Sequence, residues 1–190
     1  MKHLPNTITL FRVLLTIILN VYIYLDFGEI LVPLILTGVI FLSDMTDGWL
    51  ARKYNAATKF GEGFDAFADI FYVVTSYAVL YGYHVLPLVG LILILFKFLE
   101  FVVTSAIIEA RQHDRSTHGL FIFDHLGKTA GILFYITPIT TYVIHQTFSS
   151  YNHTIHIAIG VALGLIGIMA IVSSWHRIGS CYKITNSSNA

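Results

Sequence analysis

Long apolar stretches alternate with short polar ones along almost the whole chain. An α-helix that crosses the hydrocarbon core of a bilayer needs about 20 mostly apolar residues. Six stretches satisfy this requirement, roughly residues 7–25, 30–52, 64–83, 86–110, 126–146 and 154–175. The pattern therefore predicts an all-α integral membrane protein with six transmembrane helices.

Basic residues are distributed unevenly around these predicted helices. Of the eleven Lys and Arg residues, only Lys97 falls near the middle of a predicted helix, and the other ten lie near the termini or near the 2–3 and 4–5 connections. Because cytoplasmic loops are enriched in Lys and Arg, we expect both termini and these two connections to be cytoplasmic. We expect residues 1–183 to form one transmembrane domain, followed by a polar tail at residues 184–190.

The composition agrees with a membrane protein. Hydrophobic residues make up 56 % of the chain and charged residues 12 %, whereas soluble domains average about 45–50 % and about 25 %. The formal net charge is 0, and we expect no nucleic-acid partner. The single cysteine, Cys181, excludes an intrachain disulfide framework and cannot form a thiolate metal site alone.

Four aspartates lie close together in the sequence around the connection between helices 2 and 3. Asp44 and Asp47 are three residues apart near the end of helix 2, and Asp65 and Asp69 are four residues apart at the start of helix 3. Each pair therefore shares one helix face, and a short loop can bring the two pairs together. Carboxylates that lie this close need cations or protonation, and acidic side chains in membrane segments usually mark a functional site.

The residue types around these aspartates favour a metal-bound diphosphate. Carboxylate oxygens suit Mg²⁺ or Mn²⁺, whereas Zn²⁺ would be expected to have His or Cys ligands. Two such ions about 3.5–4 Å apart would form a clamp for phosphoryl transfer. Arg52 offers a planar fork for phosphate oxygens. Small residues that let a ligand approach the backbone lie between the pairs: Gly48, Ala51, Gly61 and Gly63.

The stretch from Asp44 to Asp69 resembles the full signature of the CDP-alcohol phosphatidyltransferase family. The matching pattern is Asp44-x2-Asp47-Gly48-x2-Ala51-Arg52-x8-Gly61-x3-Asp65-x3-Asp69. The segment "LPNTITLFR", residues 4–12, also resembles the entry segment of that family, in which a short interfacial helix precedes helix 1. Pro5 and Asn6 are equally compatible with an ordinary helix start.

This resemblance implies an enzyme of phospholipid biosynthesis that transfers a phosphatidyl group from CDP-diacylglycerol to the hydroxyl of a soluble polar alcohol and releases CMP. It implies two Mg²⁺ or Mn²⁺ ions and a homodimer among membrane lipids, in a bacterial cytoplasmic membrane with the active site facing the cytoplasm. Asp69 would act both as a metal ligand and as the base that deprotonates the acceptor. The other implied ligands are Asp44, Asp47 and Asp65 for the metal, and Gly48, Ala51, Arg52 and Gly61 for the nucleotide.

The acceptor alcohol is less well determined by the sequence. Members of the family that accept glycerol 3-phosphate resemble this chain at Glu100 and at "GKT", residues 127–129, but they carry arginines where this chain has Leu99 and Ile107. They also carry a second lysine after the position of Lys128. A phosphatidylglycerophosphate synthase specific for glycerol 3-phosphate therefore stays an alternative within the family.

Four basic residues are candidates for binding an anionic acceptor: Lys97, Arg111, Arg115 and Lys128. Each also has a simpler explanation. The two arginines can set the orientation in the membrane and contact lipid headgroups. Lys97 can neutralise Glu100, which lies three residues later on the same helix face.

Two other classes of protein use acidic residues near a membrane. A membrane prenyltransferase would be expected to have more helices and two aspartate motifs on separate helix pairs. A cation transporter or proton-coupled carrier would leave the placement of the glycines and of Arg52 unexplained. Both are less consistent with the sequence than a phosphatidyltransferase.

Overall fold

The computed structural model describes residues 4–54, 58–111, 125–148 and 152–187. These residues form six α-helices and no strand. The helices are α1 (Leu4–Leu25), α2 (Leu31–Lys53), α3 (Lys59–Gly82), α4 (Leu88–Arg111), α5 (His125–Thr147) and α6 (Asn152–Ser187). Four of the described helices, α1, α2, α3 and α6, contain stretches long and apolar enough to cross a membrane. The predicted all-α class is therefore confirmed, and four of the six predicted spans have the length and composition that an integral membrane protein requires.

Two helices extend beyond their apolar stretches. α3 begins at Lys59 instead of Phe64, because Thr58 is extended and its hydroxyl accepts a hydrogen bond from the backbone N–H of Gly61 at 3.0 Å. This is the usual geometry of a helix N-cap. α6 continues to Ser187, well past Trp175. No proline interrupts residues 176–187, so the helical hydrogen bonds can continue after the apolar pattern ends.

The expected interfacial segment at residues 4–12 is not a separate element. These residues are the first turns of α1, which runs without a break to Leu25. Pro5 lies in the first turn, where a missing backbone N–H removes no helical hydrogen bond. Since no other proline or glycine occurs before Arg12, nothing in the sequence breaks the helix there. Arg12 is consequently held in a rigid helix and not at a junction between two helices.

The helices pack as two groups that share α3. α1 packs against α2 and α3, while α6 packs against α4 and α5, and α3 also contacts α4 and α5. The buried core includes Leu19, Ile40, Tyr72 and Leu80. Large apolar side chains also cover the outer surface of the helices, and Trp175 is 83 % exposed. An apolar surface of this extent is expected to face lipid.

Candidate active site

The aspartates lie where the end of α2 meets the start of α3. Both helices pack against α1. One carboxylate oxygen from each of Asp44, Asp47 and Asp65 lies within 4.8 Å of the other two. Asp69, one helical turn after Asp65, shares an arginine partner with them. The two pairs, separated by a loop in the sequence, thus form one carboxylate cluster: Asp44, Asp47, Asp65 and Asp69.

The guanidinium of Arg12, on α1, lies among these four carboxylates. Its Nη1 donates to Asp44 and, at 3.1 Å, to Asp69. Its Nη2 donates to Asp65 and lies 3.8 Å from Asp47. The Arg12 side chain is 0 % exposed. Its positive charge reduces the mutual repulsion of the carboxylates, and the low dielectric constant of a buried site strengthens this effect.

Arg12 is a site residue that the sequence reasoning missed. The distribution of basic residues predicts only a role in membrane orientation for Arg12, although this residue closes the "LPNTITLFR" segment that resembles the family's entry segment. The contact with Asp69 spans 57 positions along the chain. Spacing patterns along the sequence do not reach that far, so only this resemblance could have drawn attention to Arg12.

Asp47 is the deepest of the four carboxylates. Its side chain is 4 % exposed, whereas those of Asp44, Asp65 and Asp69 are 34 %, 39 % and 42 % exposed. Thr9 of α1 donates a hydrogen bond to its Oδ2 at 3.2 Å. Its Oδ1 is buried and has no hydrogen-bond partner among the described residues. Leaving a buried carboxylate oxygen without a partner costs free energy, so Asp47 has a ligand oxygen to offer.

The carboxylate cluster fits a hard divalent cation. Every candidate ligand atom is a carboxylate oxygen, the donor type that Mg²⁺ and Mn²⁺ prefer. The oxygens of Asp44, Asp47 and Asp65 are close enough together to share one ion, and the unpartnered oxygen of Asp47 is one of the most buried atoms of the cluster. The cluster can therefore bind a metal, as the sequence predicts.

The structure gives Gly61 a packing role. A Cβ at this position would lie 3.1 Å from Oγ1 of Thr58 and 3.2 Å from Oδ1 of Asn6. Both distances are tighter than ordinary van der Waals contact, so Gly61 lets α1 approach the capped start of α3. Gly48 is half-buried on α2, one residue after Asp47. The proposed nucleotide ligands Ala51 and Arg52 lie on α2, but their side chains are outside the described part of the structure.

A cavity of about 630 Å³ opens beside the carboxylate cluster, between α2, α3, α4 and α5. This volume is within the range of small-molecule sites, about 300–1,000 Å³. Most of the lining is apolar and includes Phe41, Ile70, Phe98 and Phe134. The polar side chains that line it are Asp44, Asp69, Lys97, Lys128 and Tyr135. The cavity thus combines two carboxylates and two lysines with a large apolar surface.

Lys97 has all three of its N–H groups engaged within the protein. Its Nζ lies 2.8 Å from Glu100 Oε2 on α4, and 2.9 Å and 3.1 Å from the hydroxyls of Ser173 and Ser174 on α6. An ammonium group has three donors, so no donor is left for a ligand in this arrangement. Arg177 of α6 adds a second cation, 3.5 Å from Glu100. The contacts favour the simpler explanation for Lys97, the neutralisation of Glu100.

Lys128 differs from Lys97 in its surroundings. It is exposed near the start of α5 and lines the cavity. Among the described residues it has no ion pair. Arg111 ends α4, but its side chain is not described, and Arg115 lies outside the described residues. Lys128 is therefore the one predicted acceptor-binding residue that the described contacts leave available to a ligand.

Most of the chain matches the model of a known protein family, and about a third of it matches individual relatives. The family model described as CDP-alcohol phosphatidyltransferase matches residues 2–173. A protein of Rickettsia typhi is 41 % identical over 71 residues, which are 36 % of this chain and 39 % of that protein. One of Salmonella choleraesuis is 38 % identical over 68 residues, 35 % of this chain and 37 % of its own length. Both relatives are named CDP-diacylglycerol–glycerol-3-phosphate 3-phosphatidyltransferase, and these alignments cover less than two fifths of each relative.

Proposed function

We propose, because the chain belongs to the CDP-alcohol phosphatidyltransferase family, that it transfers a phosphatidyl group from CDP-diacylglycerol to the hydroxyl of a polar alcohol. The observation that carries this proposal is the carboxylate cluster beside a largely apolar cavity. The donor has a charged diphosphate next to two acyl chains, so it needs a metal-binding site and an apolar surface within a few ångströms of each other.

The proposed metal ligands are Asp44, Asp47, Asp65 and Asp69. Bound Mg²⁺ or Mn²⁺ would neutralise the diphosphate and polarise the phosphoryl group that is transferred. The protein's own contribution is mainly position, because phosphoryl transfer depends on alignment and charge neutralisation more than on covalent chemistry. α1 supports this alignment, since Thr9 donates a hydrogen bond to the carboxylate of Asp47.

We assign Asp69 the role of general base. It lines the cavity, and its carboxylate is the most exposed of the four. It would take the proton of the acceptor hydroxyl while the hydroxyl oxygen attacks the phosphorus of the phosphatidyl group. A new P–O bond forms to the acceptor, the P–O bond to CMP breaks, and CMP leaves with the electron pair. A base within reach of the attacking hydroxyl typically contributes about 100- to 10,000-fold to the rate.

Glycerol 3-phosphate is the first acceptor to test. The matched relatives carry its name, and Lys128 supplies a cation at the cavity that can pair with an acceptor phosphate. Other acceptors are also candidates, because Leu99 and Ile107 lack the positive charge of the arginines expected at these positions. The proposed nucleotide-binding residues are Gly48, Ala51, Arg52 and Gly61. Of these, Arg52 would offer its guanidinium to phosphate oxygens.

We further propose six spanning helices with both termini and the carboxylate cluster on the cytoplasmic side of a bacterial inner membrane, and a homodimer. The clustering of basic residues on one side supports the orientation. α4 and α5, with 24 and 23 residues, are as long as α1, α2 and α3, which have 22, 23 and 24 residues and qualify as spans. A cytosolic alcohol would then reach Asp69 without crossing the membrane.

The test of this function is the release of CMP from CDP-diacylglycerol by the purified protein in mixed micelles. Glycerol 3-phosphate, glycerol, serine, inositol and inositol phosphate serve as acceptors, with Mn²⁺ or Mg²⁺ present and the lipid products resolved. We expect CMP release to require one of these alcohols and to stop in excess EDTA. Release of CMP without any acceptor, or full activity in EDTA, would contradict the proposal.

A further inference from the structure

Arg12 has an unusual position for a cation in a metal-binding site. Its guanidinium contacts the same carboxylates that would hold divalent ions, so Arg12 and the ions compete for these oxygens. Like charges repel strongly in a buried site. Ions that bind to the carboxylate cluster would therefore force the guanidinium to leave its present partners.

In its present position the Arg12 side chain has no access to water. Its side chain is 0 % exposed, and its backbone belongs to a continuous helix whose carbonyl at Arg12 accepts a hydrogen bond from Thr16 Oγ1 at 2.9 Å. α1 is packed against both α2 and α3. A buried guanidinium without an anion is costly. Once displaced, Arg12 therefore needs another anion close to the carboxylate cluster.

A diphosphate meets this requirement. The guanidinium presents five N–H donors in a planar fork that matches phosphate oxygens, and its Nε is buried without a hydrogen-bond partner among the described residues. The donor substrate of the proposed function brings a diphosphate to the metal ions themselves. A diphosphate bound to these ions would therefore lie next to Arg12 and could restore its charge balance.

We infer that Arg12 couples divalent-ion binding to donor binding: it is the counter-cation of the carboxylates before the ions bind, and a ligand of the donor diphosphate afterwards. This inference rests on the proposed function. It has a measurable consequence, because coupling between two ligands is reciprocal. The ions should bind weakly to the protein alone and more tightly when CDP-diacylglycerol is present.

The experiment is a Mn²⁺ titration of the purified protein in mixed micelles, followed by the electron paramagnetic resonance signal of free Mn²⁺. It is run with CDP-diacylglycerol and with diacylglycerol alone. For the unaltered protein we expect CDP-diacylglycerol to lower the Kd for Mn²⁺ by about tenfold or more. In Arg12→Gln, which removes the competing charge, the Kd without CDP-diacylglycerol should fall by roughly tenfold. The effect of CDP-diacylglycerol on this Kd should be smaller than in the unaltered protein, because only the direct contact of the diphosphate with the ions remains.

Arg177→Gln is the matched control. Arg177 is also a buried arginine, but it contacts Thr104 and Glu100 of α4, away from the carboxylate cluster. We expect the Kd for Mn²⁺ and its dependence on CDP-diacylglycerol to stay unchanged in this variant. Arg12→Lys keeps the competing charge without the fork. It should bind Mn²⁺ weakly in both conditions, and it replaces Arg12→Gln if the latter does not fold.

Three results would overturn the inference: a Kd for Mn²⁺ that does not respond to CDP-diacylglycerol in the unaltered protein, weaker Mn²⁺ binding in Arg12→Gln without CDP-diacylglycerol, or undiminished coupling in Arg12→Gln or Arg12→Lys. A different result would refute the proposed function. Coupled Mn²⁺ binding with no CMP release from any acceptor would refute the reaction and leave the coupling, whereas an active protein without coupling would refute only the role of Arg12.

Discussion

Replacing Asp69 with asparagine separates the two roles that this residue combines. The amide keeps the size of the side chain and one oxygen for a metal ion or for Arg12, which lies 3.1 Å from Oδ1. It cannot accept a proton at neutral pH. Loss of a general base is expected to lower kcat by about 100- to 10,000-fold, equivalent to about 3–5 kcal/mol in the activation barrier.

The structure predicts little change in folding for this variant. Asp69 is 42 % exposed and is one of four carboxylates that repel each other. Removal of its charge weakens one contact with Arg12 but also relieves repulsion from Asp44 and Asp65, so we expect the free energy of unfolding to change by no more than about 1 kcal/mol. A large loss of turnover with a small loss of stability is the signature of a chemical role.

The assay measures CMP release at saturating Mn²⁺ and acceptor, together with CDP-diacylglycerol binding at equilibrium. The matched control is Asp26→Asn, the same change at an exposed position between α1 and α2, at the opposite end of the bundle. We expect the control to keep its kcat, and Asp69→Asn to bind the donor within about threefold of the unaltered protein. If Asp69→Asn keeps a near-native kcat, Asp69 is not the base; if donor binding is lost together with kcat, its main role is in holding the metal.

The remaining predictions concern the metal, the acceptor and the start of α3. Asp65→Asn should raise the Mn²⁺ concentration needed for half-maximal CMP release by roughly tenfold or more, because it removes a charged ligand; an unchanged Mn²⁺ dependence would exclude Asp65 as a ligand. Lys128→Ala should raise the KM for glycerol 3-phosphate by about 5- to 20-fold while leaving the KM for CDP-diacylglycerol unchanged, since it removes one charge that pairs with the acceptor. If Lys128→Ala and the unaltered protein have equal KM values for glycerol 3-phosphate, Lys128 acts at the membrane interface and does not bind the acceptor. Thr58→Ala should lower the free energy of unfolding by about 1 kcal/mol through loss of the α3 cap, measured by denaturant titration in micelles, and Thr46→Ala, an exposed threonine inside α2, should change it much less.

The sequence was sufficient to predict the features that depend on residues close together along the chain. The length of the apolar stretches determines the helices, because a bilayer requires about 20 apolar residues per span. The spacing of Asp44 to Asp47 and of Asp65 to Asp69 determines that each pair shares a face, because the α-helix has a fixed period. The ends of the helices were predicted less accurately. α3 starts earlier than its apolar pattern because of the cap at Thr58, and α6 continues beyond its own pattern.

Tertiary structure alone decided which groups surround these aspartates and which cations are already paired. Arg12 reaches Asp69 across 57 positions, and Lys97 reaches Ser173 across 76. Both contacts depend on how far each helix is rotated and shifted against its neighbours, which follows from the packing of whole helix surfaces. A local pattern carries no information on that rotation. For this reason the sequence alone presented Arg12 as an orientation signal and left Lys97 as either a candidate ligand or the partner of Glu100. Helix packing places Arg12 among the carboxylates and engages Lys97 with Glu100 and α6.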